Sequence, residues 1–512
     1  MTILRQISVL LLPVFLLILP ACGGDESVDA NYYSIDMALV HTAGANRVNQ
    51  VVVGALVNAE RDFRISDGDT PSLYHISAEE IDAHIEALKT NMATKNPQAD
   101  FWEQVQATGH TEATYRVEAA NVMMIDRLLF PSDPSKWRDD QLADIFQKDA
   151  PNSMYENMVT GTRLAFEESW DKGERFVVDE AMMQMILRPY FMRWLWERAE
   201  IKYPFDGLPD GVALRINERD FTATSLLADM DLLIGPVEED RANRFIALMS
   251  AAGSKLSAMG VLISPQEAMD RIAEEKKEYE NSPISYEMVA LQFLGYPSME
   301  AFHKVYRLKQ SFRDSLLDEN GNYPDEALVA NTERRLRFLG DGKADCEVIL
   351  FSARSMETGR YAMEGDPFGE AAERAKAAAQ ELADGAKWAE TLMKYSDLPE
   401  SVLGAPPAAP KPNRGRFGIQ RFNPLKEFLG ENEYTEFLYG VSVAEQIFFD
   451  AEPHKIYGPL SGCTGSYIYK LNKFEEPMKE MDPENDVRHK YLVESDYLNV
   501  EFMKFLAGLE LD

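Results

Sequence analysis

ADCEVILFSA (Ala344 to Ala353) and GPLSGCTGSYIYKL (Gly458 to Leu471) are the two stretches on which the fold turns. The first is a short apolar run after the glycine-containing LGDGK, and the second begins at a Gly-Pro turn. Both read as β-strands. Between them lie an Ala-rich helix from about Gly369 to Ala383, the helical phrase KWAETLMKYSD (Lys387 to Asp397), a Pro- and Ala-rich loop from Ala405 to Pro412, and NRGRFGIQRF (Asn413 to Phe422). Strands around Ala-rich helices over residues 343–475 predict a small α+β domain.

Upstream, helical periodicity dominates. In ISAEEIDAHIEALKTN the apolar Ile76, Ile81, Ile85 and Leu88 share one side, Ser77 is placed to cap the helix, and Glu80 completes a capping box. ISPQEAMDRIAEEKKEY repeats the pattern with Ser264, Pro265 and Glu267. Further echoes follow in order: NAERDF (Asn58 to Phe63) with NERDF (Asn217 to Phe221), Trp102-Glu103 with Tyr286-Glu287, and Gly109 with Gly295 before a long helix. They suggest a degenerate tandem repeat, residues 51–205 and 206–342. Between the copies, Met182, Met183, Met185, Phe191, Met192, Trp194 and Trp196 crowd together, the composition either of a helix core or of an adaptable client-binding groove.

The chain opens with Arg5, an apolar run from Ile7 to Leu19, and Leu19-Pro20-Ala21-Cys22. Residues 1–21 read as a secretion signal too short to span a bilayer comfortably, and residues 22–50 begin with a flexible tether. A net charge of −33 argues against nucleic acid as a partner. Cys346 and Cys463 are the only cysteines besides Cys22, so the chain is no disulfide scaffold. His41, His75, His84, His110, His303, His454 and His489 show no metal-ligand spacing. No phosphate-binding glycine loop or nucleophile elbow appears, and no cofactor is expected.

Leu19 to Cys22 resembles the lipobox of bacterial lipoproteins, which implies lipid on Cys22 as the membrane anchor and a place on the periplasmic side, at the outer membrane rather than the inner. Residues 343–475 resemble the parvulin (PpiC-type) peptidyl-prolyl isomerase domain, and the whole is similar to the SurA/PrsA-type periplasmic chaperones. The ordered elements that carry this are the first strand, the Ala-rich helix with its Tyr395-Ser396 sequel, Gly415-Arg416-Phe417-Gly418, Gly458-Pro459-Leu460, and Thr464 to Leu471. The implied architecture is a mainly α chaperone-like region plus a small α+β domain with an antiparallel sheet, its first and last strands adjacent. That brings Val348 near Tyr467 and sends Cys346 and Cys463 to opposite ends of the strand pair. The implied partners are unfolded or proline-containing polypeptides.

Prolyl isomerisation lowers a barrier of about 18–20 kcal/mol for rotation about a partly double C–N bond. A site achieves this by binding the twisted imide better than the planar one, through an apolar pocket and tuned polar groups. By the resemblance, the first histidine position is Val348, the second Tyr467 and the acidic position Arg416, so these polar groups are replaced; the hydroxyl, Thr464, is retained. Leu425, with Phe428 or Leu429, falls where the proline pocket belongs. Valine cannot hydrogen-bond and arginine reverses the charge. A folding factor with a degenerate isomerase site is the leading expectation, beside an active isomerase and a non-catalytic adaptor or structural lipoprotein. In residues 476–512, Tyr491, Leu492, Leu498, Phe502, Phe505 and Leu506 at helical spacing predict a C-terminal helix over 487–510, packed on the helical region.

Overall fold

The computed structural model describes residues 34–131, 164–174, 187–398, 415–477 and 487–510, apart from short stretches within them (96, 98–99, 166, 170, 229, 231–232, 280–285, 356–359 and 441). Cys22 with its signal, Met182, Met183, Met185 and the loop 405–412 lie outside the described residues. The chain forms two compact units, Leu39–Leu233 with Asp270–Val289, and Asn31–Ala38 with Ile234–Met269 and Ala290–Asp512. These follow packing, and their limits differ from those of the segments 51–205, 206–342 and 343–475. The fold is mainly helical with two small antiparallel sheets.

In the first unit, helices α1 (Ala45–Ser66), α2 (Ala78–Lys95), α3 (Phe101–Ala107), α4 (Glu112–Leu129) and α5 (Arg188–Glu197) make the core. Ser77 and Glu80 form the expected box: the Glu80 N–H donates to Ser77 Oγ at 3.2 Å, and Glu80 Oε2 accepts the Ser77 N–H at 2.8 Å. Ile81, Ile85 and Leu88 pack with Met92, Phe101, Val105, Tyr115 and Ala119, so the apolar stripe is what binds α2 to α3 and α4. Arg64, 1% exposed, pairs with Glu60 of its own helix at 2.6 Å and ties α1 to α4 through the Leu128 carbonyl at 2.5 Å. Phe191, Met192, Trp194 and Trp196 are buried on α5, with Phe191 and Trp194 stacked at 5.7 Å; this part of the aromatic stretch is core.

The paired echoes of the sequence fall on elements of differing kind. Gly109 (φ 85) and Gly295 (φ 74) each follow short helical segments and precede a long helix capped by a hydroxyl, Thr111 in one case and Ser298 in the other. The helix Pro265–Tyr279 carries its own cap, Ser264 accepting from Glu267 N–H at 3.1 Å. The NAERDF echo is not structural. Asn58 to Phe63 lie inside α1, whereas Asn217 and Glu218 turn the chain between β2 (Val212–Ile216) and β3 (Arg219–Thr222). Asn217 takes φ 54, which asparagine tolerates, and β1 (Ile201–Lys202) completes a three-stranded sheet that the helical reading of this region did not include. Strands of two to five residues leave too little alternation to show in sequence.

The second unit holds α6 (Pro236–Ala258), α7 (Met299–Leu316), α8 (Asp325–Leu339), β4 (Lys343–Ser352), α9 (Pro367–Ala383), α10 (Trp388–Tyr395), β5 (Arg416–Gln420), α11 (Phe422–Leu429), α12 (Glu433–Tyr439), α13 (Val443–Glu445, continued by a π-turn to Asp450), β6 (Ile456–Gly462), β7 (Gly465–Glu475) and α14 (Val487–Ala507). Its sheet is antiparallel in the order β5-β4-β7-β6. The first and last strands are adjacent, Val348 opposite Tyr469 and Leu350 opposite Tyr467. Alternation gives the sheet two buried faces. Ile349, Phe351, Ala353 and Ile468 meet α9 and α10 through Ala371, Ala375, Ala378 and Leu392; the alanines let the helix lie close. Ala344, Cys346, Val348, Leu350, Tyr467, Tyr469 and Leu471 meet α11, α13 and its π-turn. Cys346 pairs with Leu471, while Cys463 precedes the Gly465–Ser352 pair, so six residues of strand at about 3.3 Å each put them roughly 20 Å apart, far beyond disulfide reach.

Helix α14 packs on α8 and α7 and touches α12. Phe502 and Phe505 meet Phe312 at 5.7 and 4.8 Å, and Asp496 accepts from Asn331 at 2.9 Å and from Arg335 at 3.0 Å. The expected stripe is corrected at its first turn. Tyr491 is 74% exposed and Leu492 38%, while Val493 and Asp496 are buried, because the Arg335 guanidinium draws Asp496 inward.

Candidate functional site

The positions matched to the isomerase site fall on the face of the second unit's sheet that carries Val348. Val348 and Tyr467 are fully buried, Thr464 is 4% exposed, and Leu425 and Leu429 are 0% and 3% exposed. The structure brings these five together in one cluster region, with Phe428 half-buried against it. Helix α11 ends at Gly430 in the left-handed conformation, φ 74, which leaves its last carbonyls without helical partners. Tyr467 donates its hydroxyl to one of them, the Leu429 carbonyl, at 3.0 Å, and shares a short hydrogen bond with Thr464 Oγ1. A β-carbon at residue 430 would come within 2.9 Å of the Thr464 methyl, so glycine is required there both for φ and for space. Burial holds the Tyr467 phenol well above its ordinary value and pushes the Cys463 thiol up to about 11. Tyr467 is therefore a neutral structural donor, and the Thr464 hydroxyl is committed to it.

Arg416 is not part of this group. It pairs with Glu347 across β4 and β5, Nε to Oε1 at 3.0 Å, and Lys470 reaches the other Glu347 oxygen at 2.9 Å. Glu347 sits between Cys346 and Val348 in the strand and so points to the opposite face. The residue of β5 that faces the cluster is Phe417, stacked on Phe428 at 5.5 Å; the register shift in the β4–β5 pairing between Cys346 and Glu347 offsets the two strands there.

The long segment after Phe428 fills the face. Its Val443, Ala444, Ile447 and Phe448 pack directly into the cluster with Val348 and Tyr467, beside Phe422 of α11. The Glu431 carboxylate secures α13 by accepting the N–H groups of Val443 at 2.6 Å and Ala444 at 3.2 Å and the Ser442 hydroxyl at 2.8 Å. Helix α6 closes the end of the sheet. Arg241 donates to Tyr439 Oη at 2.7 Å, to Tyr361 Oη and to the Cys463 carbonyl at 3.2 Å, and its guanidinium lies 4.6 Å from the Tyr361 ring. Arg244 donates to the Leu438 carbonyl, and Phe245 meets Phe437 at 5.9 Å. Sequence reasoning missed Arg241 and Glu431, and no local signal marks either: Arg241 acts more than two hundred residues from Cys463.

Burial raises the Glu431 carboxyl from 4.5 to about 7, and its hydrogen bonds offset this only in part. The folded state then holds a proton that the unfolded state has lost, so this group's contribution to stability falls as pH rises from about 4.5 to about 7. Chemical denaturation of Glu431→Gln across that window should show a flatter pH dependence than the parent; an unchanged slope counts against this assignment.

Among the described residues, no group of three or more histidine, cysteine, aspartate or glutamate side chains is placed to hold a metal ion. No protein-family model and no curated protein sequence matches the chain. Solved structures similar to it include a peptidylprolyl isomerase (PrsA) from Bacillus anthracis, 14% identical, with a TM-score of 0.21 over 52% of this chain and 96% of that one. Two more are a PrsA from Bacillus cereus, 15% identical, TM-score 0.19, covering 56% and 85%, and the foldase protein PrsA from Streptococcus pneumoniae, 14% identical, TM-score 0.19, covering 58% and 91%.

Proposed function

We propose that this chain is a lipid-anchored extracytoplasmic folding factor that holds unfolded polypeptides, and that its parvulin-like module does not catalyse prolyl isomerisation. The observation that carries the second half is the complete burial of Val348 and Tyr467 beneath Phe422, Ile447 and Phe448. An isomerase must admit a prolyl imide to an apolar cleft and stabilise its twisted form with free polar groups; here the cleft is core, and the Tyr467 hydroxyl is committed to Leu429. The helical regions are the larger part of the described chain, and holding is the activity that survives loss of turnover. The test is light scattering of a chemically unfolded client on dilution. Equimolar protein should suppress its aggregation, and a client that aggregates at the same rate with or without the protein leaves the adaptor reading in its place.

Lipid attachment is supported by Leu19-Pro20-Ala21-Cys22 and by the polar stretch after it. No helix of the described residues is long and apolar enough to cross a membrane. Cys22→Ser should abolish metabolic labelling with a fatty acid and leave unprocessed or mislocalised protein. A variant that still partitions with membranes as the parent does would refute the anchor.

A further inference from the structure

Four polar side chains meet where the turn between α3 and α4 crosses α1. Arg47 Nη1 donates to Gln50 Oε1 at 2.8 Å, both in the first two turns of α1. Gln50 Nε2 lies 3.1 Å from His110 Nε2, and Glu118 Oε2 of α4 lies 3.3 Å from that same ring nitrogen. The His110 and Glu118 side chains are 11% and 16% exposed, so solvent does little to screen what passes between them. The His110 ring also meets Tyr115 edge-on at 6.0 Å, and Tyr115 meets Phe101 and Trp102 at 5.5 and 6.0 Å. The turn is thereby held to the aromatic core that joins α3 to α4.

Hydrogen-bond chemistry assigns the protons. A guanidinium only donates, so Gln50 turns its carbonyl oxygen to Arg47 and its amide N–H to His110. His110 Nε2 then accepts, which places the hydrogen of the neutral imidazole on the other ring nitrogen. An ionised Glu118 would set its own lone pairs against that one, whereas a protonated carboxyl donates to it. The surroundings agree. Burial raises the Glu118 carboxyl to about 7, and the Arg47 guanidinium, which faces it from α1, opposes this without cancelling it. Among the described residues the other charges on α4 and against it are engaged elsewhere. Arg116 pairs with Asp82 and Arg127 with Glu80 of α2, Lys89 of α2 with Glu86, Arg64 of α1 with Glu60, and Asp126 with Arg188 of α5. Glu103 of α3 is exposed, and Tyr74, in the turn Pro71–Tyr74, donates to Asp69.

We propose that Glu118 and His110 form a proton-operated latch in the first unit: with a proton on Glu118 the pair fastens the α3–α4 turn, and without it the two acceptors repel and the turn loosens. The device is independent of the client-holding reading. Because the folded carboxyl is raised from 4.5 to about 7, the latch contributes fully below about pH 4.5 and is lost as pH rises through about 7.

Hydrogen exchange of the full chain, corrected for the intrinsic pH dependence of exchange, reads the latch locally. The reporters are the amides of His110, Thr114 and Tyr115, bonded to the Val105 carbonyl, Thr111 Oγ1 and the Thr111 carbonyl. Between about pH 5.5 and about pH 8.5 their opening constant should rise at least about tenfold. Glu118→Gln carries an amide that donates to His110 Nε2 as the protonated carboxyl does. It should keep the parent's protection at the acid end and abolish most of the rise, while the amides of β4 in the second unit, where Glu431 titrates, keep the parent's profile. Corrected protection that stays level across the window in the parent overturns the proposal. A variant that retains the parent's rise overturns it too. So does one that already exchanges fast at the acid end, because an imidazolium–carboxylate ion pair, and not a protonated carboxyl, would be what Glu118→Gln had broken.

Discussion

Phe448→Ala is expected to lower the stability of the second unit by about 3–5 kcal/mol, the range for removing a buried aromatic ring from a packed core. Phe448 is fully buried, meets Phe422 at 5.2 Å and Phe474 at 5.5 Å edge-on, and contacts the cluster that contains Val348 and Tyr467. Its neighbours come from α11, β7 and the sheet itself, so no single side chain can relax into the void. Denaturant unfolding followed by tryptophan fluorescence measures the loss. A change below about 1 kcal/mol would mean that the π-turn does not seal this face, and the reasoning that denies it to a substrate would fail with it.

The second large effect is expected at Arg335. Its guanidinium, 6% exposed as a residue, holds Asp496 of α14 at 3.0 Å and Glu445 of α13 at 2.7 Å, and stacks over Phe449 at 4.3 Å. Arg335→Ala strands Asp496 as a buried charge, which costs about 3–5 kcal/mol. Replacing both partners by apolar residues, Arg335→Met with Asp496→Leu, should recover most of that, because a buried ion pair and a well-packed apolar pair are close in net stability. If the double variant is as unstable as the single one, the loss belongs to the Glu445 and Phe449 contacts and not to the stranded carboxylate. Deleting residues 485–512 should destabilise α7 and α8 by removing Phe502, Phe505 and Asp496 together.

What was legible in the sequence and what was not divides along physical lines. The strands at 343–352 and 465–475 are long apolar runs bounded by glycine, so their existence and pairing could be read, as could the Ser77–Glu80 box and the stripe of α2. The hairpin at Val212–Thr222 could not, because its strands are too short for alternation to register and its turn residues reappear inside a helix at Asn58–Phe63. At the candidate site, Val348, Thr464, Tyr467, Leu425 and Leu429 gather in one buried region, but the single-residue offset that turns Arg416 outward and Phe417 inward accompanies a register shift invisible to motif matching. The closure by Arg241 and the capping by Glu431 are contacts between residues remote in sequence or unremarkable in type. The tail shows the same limit. Its helical spacing marks α14, yet only the position of Arg335 makes Asp496, and not Tyr491, the buried residue of its first half.

The most direct test of the account is a protease-coupled prolyl isomerisation assay of the full chain on a proline-containing peptide. With Val348 and Tyr467 sealed and the Thr464 hydroxyl committed, the rate should match the uncatalysed rate at micromolar protein and stay there in Thr464→Ala. Turnover comparable to an intact parvulin, lost on Thr464→Ala, would contradict it.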